Sequence, residues 1–169
     1  SYLQYLIIAR LFPCKMTILG DFAQTIDSTQ QDVMDFLPGI FGKNLPLISL
    51  NKSYRNTYEI GQYAKRLIGN TEVELLERHG MEPVEKAFAS MEKALEEVAC
   101  CLKEYETMAV ICISEAEALL AYERLCQKLP KQQIHHLHKN SSRFHKGITV
   151  TTFYLAKGLE FDQVFALYD

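Results

Sequence analysis

Apolar positions along this chain change their period several times, and each change marks the boundary of a predicted element. Tyr2–Phe12 is apolar at helical spacing and stops at Pro13, where a helix must end. Met16–Leu19 is a short apolar run, read as a strand and broken at Gly20-Asp21. Asp27–Gln31 is polar and turn-like, and Asp35–Asn44 holds Pro38, Gly39 and Gly42, the composition of a loop or linker. Leu45–Leu50 predicts a strand. After it, Asn56 with Glu59 three positions on predicts a capped helix whose stripe is Ile60, Tyr63, Ala64, Leu67 and Ile68.

Val73–Ala89 alternates loosely around Gly80 and Pro83 and predicts two strands joined by a turn. Ser90–Tyr105 predicts a helix that buries Met91, Ala94, Leu95, Val98 and Leu102, with the Lys and Glu of Glu92–Glu106 on its solvated face. Met108–Ile113 is apolar without interruption, the mark of a central strand covered on both sides. Ser114 and Glu117 form a capping box that opens a helix running to about Leu129. Ile134–Leu137, Ile148–Thr152 and Gln163–Tyr168 predict further strands, and Asn140–Lys146 a polar loop. Strands alternating with helices imply an α/β fold, a mostly parallel sheet with helices on both faces.

Composition narrows the function classes. The chain has 169 residues, 48% hydrophobic and 23% charged, enough for one ordinary core. A net charge of −3 argues against an autonomous nucleic-acid-binding domain, though not against a shared cleft with its basic wall elsewhere. No apolar run is long enough to span a membrane and the N-terminus lacks the basic start of a signal peptide, so a cytoplasmic protein with no membrane partner is expected. The five cysteines form no CxxC pair, and Cys112 and Cys126 fall in apolar patterns, as buried free thiols would. The vicinal pair Cys100-Cys101 fits a helix better than a metal site, because no second ligand pair accompanies it. His135, His136 and His138 lack the further ligands a metal demands, and read as polar side chains on an edge strand. No metal site is expected in the chain itself.

Three polar clusters stand where strands end, the place where open α/β sheets bind ligands. Thr17–Gln24 presents Asp21 and Gln24, Ser53–Thr57 presents Tyr54 and Arg55, and Ala156–Phe161 presents Lys157, Gly158 and Glu160. An aromatic plane, a guanidinium, an amide, an ammonium and a carboxylate suit a nucleotide: a ring stacks the base, cations hold phosphate oxygens, and a carboxylate accepts from ribose. Each cluster alone has an ordinary structural explanation; their order is the signal. Gly20-Asp21-x-x-Gln24, then Ser-Tyr-Arg-Asn-Thr, then Thr152-x-x-x-Ala-Lys-Gly-Leu-Glu-Phe resembles motifs III, IV and V of the UvrD/Rep-type superfamily 1 DNA helicases, closest to the helicase IV or HelD-like branch.

That resemblance implies a RecA-like (P-loop NTPase-type) lobe and a set of roles. Gln24 would sense the γ-phosphate, Tyr54 would stack on adenine, and Arg55 would act as an arginine finger. Lys157 and Gly158 would face the phosphates and Glu160 the ribose. Thr152 and Tyr154 would lie along the DNA, with Tyr154 standing where relatives usually carry His. ATP and Mg²⁺ are the implied cofactors, and single-stranded or partly duplex DNA the implied partner, in repair or recombination. The sequence has neither a GxxxxGK[ST] phosphate loop nor an Asp-Glu pair for magnesium. The expectation is therefore a piece of such an enzyme, inactive alone. Residues 1–35 would be the remnant of a first RecA-like lobe with a linker, and 36–169 most of the second lobe, lacking the final arginine motif. The interval from Arg55 to Thr152 leaves no room for the large domain that UvrD-type enzymes insert there. Two alternatives stay open: a HelD-type ATPase module that remodels RNA polymerase, and an unrelated doubly wound α/β enzyme.

Overall fold

A helix stops where Pro13 requires it: α1 spans Tyr2–Leu11. The computed structural model describes residues 1–20, 33–69, 72–139, 141 and 146–168, and its chain falls into two units, Ser1–Pro83 and Val84–Asp169. In the first unit, the short strand expected at Met16–Leu19 is absent; those residues have no regular structure. The loop expected at Asp35–Asn44 is instead largely helical, as α2 (Val33–Phe41) with Pro38 inside it. Proline in a helix interior costs about 3 kcal/mol, while burying a Leu or Phe side chain contributes about 1.5–3 kcal/mol each. Leu37 is buried, and the Phe36 ring meets Tyr2 and Tyr5 of α1 at centroid distances of 5.5 and 5.8 Å. Packing outweighs the breaker.

The strand expected at Leu45–Leu50 does not form either. Pro46 removes a ladder donor from its middle, and its leucines and isoleucine stay exposed. Pairing begins later, with β1 (Lys52–Ser53) against β2 (Glu74–Leu75), a parallel pair in the register Lys52↔Glu74 and Ser53↔Leu75. Between them runs α3 (Tyr58–Ile68), against whose Gly61 the side chain of Leu75 packs closely. Its cap is Thr57 rather than Asn56: Thr57 is extended and its Oγ1 accepts from the Ile60 amide at 3.4 Å. Of the predicted stripe, Tyr63 and Ala64 are half-buried, while Ile60, Leu67 and Ile68 are exposed. Of the two strands expected in Val73–Ala89, only Glu74–Leu75 pairs, because the next residues spend their polar groups on the start of α3.

The second unit follows the sequence pattern closely. It holds α4 (Met91–Cys100), extended by a 3₁₀ turn at Cys101–Lys103, then β3 (Thr107–Cys112), α5 (Glu115–Lys128), β4 (Ile134–His136), β5 (Gly147–Thr152), the one-turn α6 (Phe153–Ala156) and β6 (Gln163–Ala166). The four strands form one parallel sheet in the order β4-β5-β3-β6, with β3 and β5 paired along their whole length from Thr107↔Gly147 to Cys112↔Thr152. Met108, Val110, Cys112, Ile148 and Val150 meet Leu95 and Val98 of α4 and Ala118, Ala121 and Leu125 of α5 in one buried cluster. On the opposite face Ala109, Thr149 and Thr151 are buried too, so the central strands are covered on both sides. The connection through α5 runs to the β4 edge, and the one through α6 crosses back to β6. Right-handed crossovers in these two directions lie on opposite faces of the sheet. The fold is α/β, a parallel sheet flanked by helices, consistent with a RecA-like lobe.

Hydrogen bonds anchor the chain at both ends of β3. Ser114 and Glu117 form the capping box, Glu117 Oε2 accepting from the Ser114 amide at 3.0 Å and Ser114 Oγ from the Glu117 amide at 3.2 Å. Asp162 Oδ2 accepts from the Thr107 amide at 2.8 Å and from Thr107 Oγ1 at 2.9 Å, which ties the approach to β6 onto the start of β3. The acidic residues of α4 are paired as well as solvated: Glu96 bridges Lys93 and Lys128, each at 3.0 Å.

Candidate functional site

Tyr54 and Arg55 occupy the turn between β1 and α3, both exposed, with Tyr54 at 66%. Strand and helix hold the two ends of that turn, and a distant segment holds its middle. Arg78 Nη2 donates to the carbonyl oxygen of Arg55. The Tyr58 amide donates to the carbonyl of Arg78 at 2.8 Å. Glu59, in the first turn of α3, accepts from Nδ1 of His79 at 2.7 Å and from the Gly80 amide at 2.8 Å. A carboxylate can only accept, so Nδ1 carries the proton. Tyr58 and His79 also approach ring to ring, at 5.4 Å.

The His79 hydrogen bond, followed by that of the Gly80 amide, holds the Glu59 carboxyl down at about 2, against an ordinary 4.5. A folded value below the unfolded one stabilises the folded state fully above about pH 4.5, and the contribution is lost as pH falls toward 2. Glu59 should therefore titrate near 2 when its carboxyl carbon is followed by NMR. Unit stability should drop across that acid window in the native chain but not in Glu59→Gln. A Glu59 midpoint at the ordinary value would show that His79 does not hold it.

The second cluster lies on the connection from β5 to β6. Thr152 ends β5 with its side chain buried, and Tyr154 in α6 is exposed and stacks on Phe153 with ring centroids 4.6 Å apart. Lys157 and Gly158 form the turn that leaves α6, closed by the Leu159 amide donating to the Ala156 carbonyl at 2.9 Å. Gly158 has φ +86° with nothing near the position a Cβ would take. Its requirement is conformational, since only glycine adopts that backbone without cost. Lys157 and Glu160 are exposed beside it.

Tyr54 and Arg55 thus share one turn, and Thr152, Tyr154, Lys157, Gly158 and Glu160 share one connection; the two groups belong to different units. Gln24 and Asp21 lie outside the described residues. His136 stacks on Tyr122 at 5.5 Å, and His135 Nε2 lies 3.2 Å from the Lys146 carbonyl. Burial, then the neighbouring His138, lowers the pKa of His136. Among the described residues no group of His, Cys, Asp or Glu could hold a metal ion. All five cysteines are free, and burial pushes the Cys112 thiol up to about 11, which keeps it inert. No helix among the described residues is long and apolar enough to cross a membrane.

The sequence pattern did not announce Arg78, His79 and Gly80 as part of the Arg55 turn. The partners lie 20 to 23 positions apart, beyond the reach of helical or strand periodicity. The available signal was a charged and glycine-containing stretch with no pattern of its own. Neither protein-family models nor curated proteins give a match to this chain.

Proposed function

We propose that this chain supplies half of the ATP site, and part of the single-stranded DNA track, of an ATP-dependent DNA helicase. The observation that carries this is the Tyr54-Arg55 turn: an exposed aromatic ring and an exposed guanidinium, on a backbone held by a strand, a capped helix and the Arg78–Gly80 segment. An arginine finger needs this rigidity, because its charge must meet the transferred phosphoryl at one place. The parallel sheet and the positive-φ turn at Gly158 beside Lys157 and Glu160 support the same assignment. Residues 1–35 would close a first lobe and 36–169 form most of the second. Arg55 and Gln24 would act on the γ-phosphate, Tyr54 on adenine, Lys157, Gly158 and Glu160 on phosphates and ribose, and Tyr154 on DNA, just beyond the strand end where the Thr152 side chain is buried. The protein would work in the cytoplasm, where its five free thiols stay reduced.

The phosphate cradle and the magnesium-holding carboxylate must come from the first lobe. ATP with Mg²⁺ would bind only when that lobe is present. The 169-residue chain alone should therefore hydrolyse no ATP above background. An intact two-lobe protein carrying it should hydrolyse ATP faster with single-stranded DNA and should displace a strand from partly duplex DNA. Turnover by the purified chain, surviving a control for contaminating ATPases, would sink this assignment. So would a two-lobe protein whose turnover ignores DNA; co-purification with RNA polymerase would then favour the remodelling function.

A further inference from the structure

The turn that carries Arg55 has little of its own to hold it. β1 is two residues long, and no regular structure covers Tyr54–Thr57. Yet contacts from one short segment reach residues 55, 57, 58 and 59 in turn. Arg78 Nη2 takes the Arg55 carbonyl, the Arg78 carbonyl takes the Tyr58 amide at 2.8 Å, and His79 with the Gly80 amide takes the Glu59 carboxylate at 2.7 and 2.8 Å. Gly80 lies so close to Thr57 that a Cβ there would sit 2.6 Å from the threonine methyl. Thr57 is the cap of α3, so the contact braces the cap itself.

We propose that Arg78-His79-Gly80 is a strap that sets the position of Arg55, and that Arg78 is a positioning residue for phosphoryl transfer. This rests on Arg55 serving as the arginine finger; the strap itself does not. Arg78 acts through the Arg55 backbone and touches no reacting atom. A finger displaced by about 1 Å loses on the order of 10²-fold in rate, because stabilisation of developing charge depends on placement. Ground-state binding of ATP depends on it much less.

Two measurements separate the strap from the helicase function. In the 169-residue chain, Arg78→Ala should speed amide exchange at residues 55–58 while β3 and β5 of the second unit keep their protection. Unchanged exchange there would overturn the strap whatever the protein does. In an intact two-lobe protein, Arg78→Ala should lower kcat about 10²-fold with the KM for ATP within about threefold, a loss confined to the transition state. Arg78→Lys should recover most of that kcat, because an ammonium can also donate to a carbonyl. Arg55→Lys should not recover, because the fork is lost. Should Arg78→Ala fail to fold, Arg78→Met keeps most of the apolar stem without a donor and must show the same kcat-selective fall. Unchanged kcat in Arg78→Ala, or equal losses in Arg78→Ala and Arg78→Lys, would overturn the positioning role. Retained turnover in Arg55→Ala would instead remove the finger and leave the exchange result to decide the strap.

Discussion

Arg55→Ala, in an intact two-lobe protein carrying this chain, is expected to cut DNA-stimulated ATP turnover by about 10³–10⁵-fold, the range arginine fingers contribute, and to abolish strand displacement. The protein should stay folded. Arg55 is exposed, so truncating its side chain leaves no buried cavity. Nucleotide binding should weaken only moderately, because charge spreads over the phosphoryl oxygens mainly in the transition state. Arg55→Lys should not restore turnover: a point charge on a flexible stem cannot address two oxygens as the planar fork does. Tyr54→Ala should show the reverse kinetic pattern. Its ring is 66% exposed and free to stack on a base, so its loss should raise the KM for ATP and leave kcat largely intact. The split between neighbouring residues is the diagnostic. Near-native turnover in folded Arg55→Ala would end the assignment of this turn to phosphoryl transfer.

The two units were not equally legible from sequence, and the reason is where their contacts come from. In the second unit, local pattern and tertiary burial agree. Ser114 and Glu117 cap α5 where their spacing places them, and Met108–Cys112 is buried as a continuous apolar strand should be. In the first unit, non-local contacts decide. Phe36 and Leu37 pull a proline-containing stretch into a helix, and Pro46 denies a ladder to a run that otherwise reads as a strand. Arg78, His79 and Gly80 give up a second strand to hold the head of α3. The candidate site divides in the same way. Tyr54, Arg55, Lys157, Gly158 and Glu160 were visible as chemistry-bearing types after strands. Their support, which makes a surface arginine into a placed one, was not, because a hydrogen bond across 23 positions leaves no mark in local spacing.

The same contrast predicts where stability resides. Leu95 on α4 and Leu67 on α3 occupy equivalent places in their sequence patterns, both within a helical apolar stripe. In the structure Leu95 is 0% exposed and Leu67 is 68% exposed. Leu95 packs among Val98, Met108, Val110 and Leu125, with no solvent to fill the space its side chain would vacate. Leu95→Ala should therefore cost about 2–5 kcal/mol, transfer free energy plus cavity. Leu67→Ala should stay within about 0.5 kcal/mol, as substitutions at exposed positions do. Exchange of the β3 amides, followed against urea in the 169-residue chain, would read the first loss directly. The midpoint should move to lower urea with an unchanged slope, since the surface exposed on unfolding is nearly the same. In an intact two-lobe protein the comparison gains a second use. If Leu67→Ala then costs as much as Leu95→Ala, the exposed stripe of α3 is covered there. If it still costs nothing, Ile60, Leu67 and Ile68 face water in the intact protein too, and α3 serves only to present the turn that carries Tyr54 and Arg55.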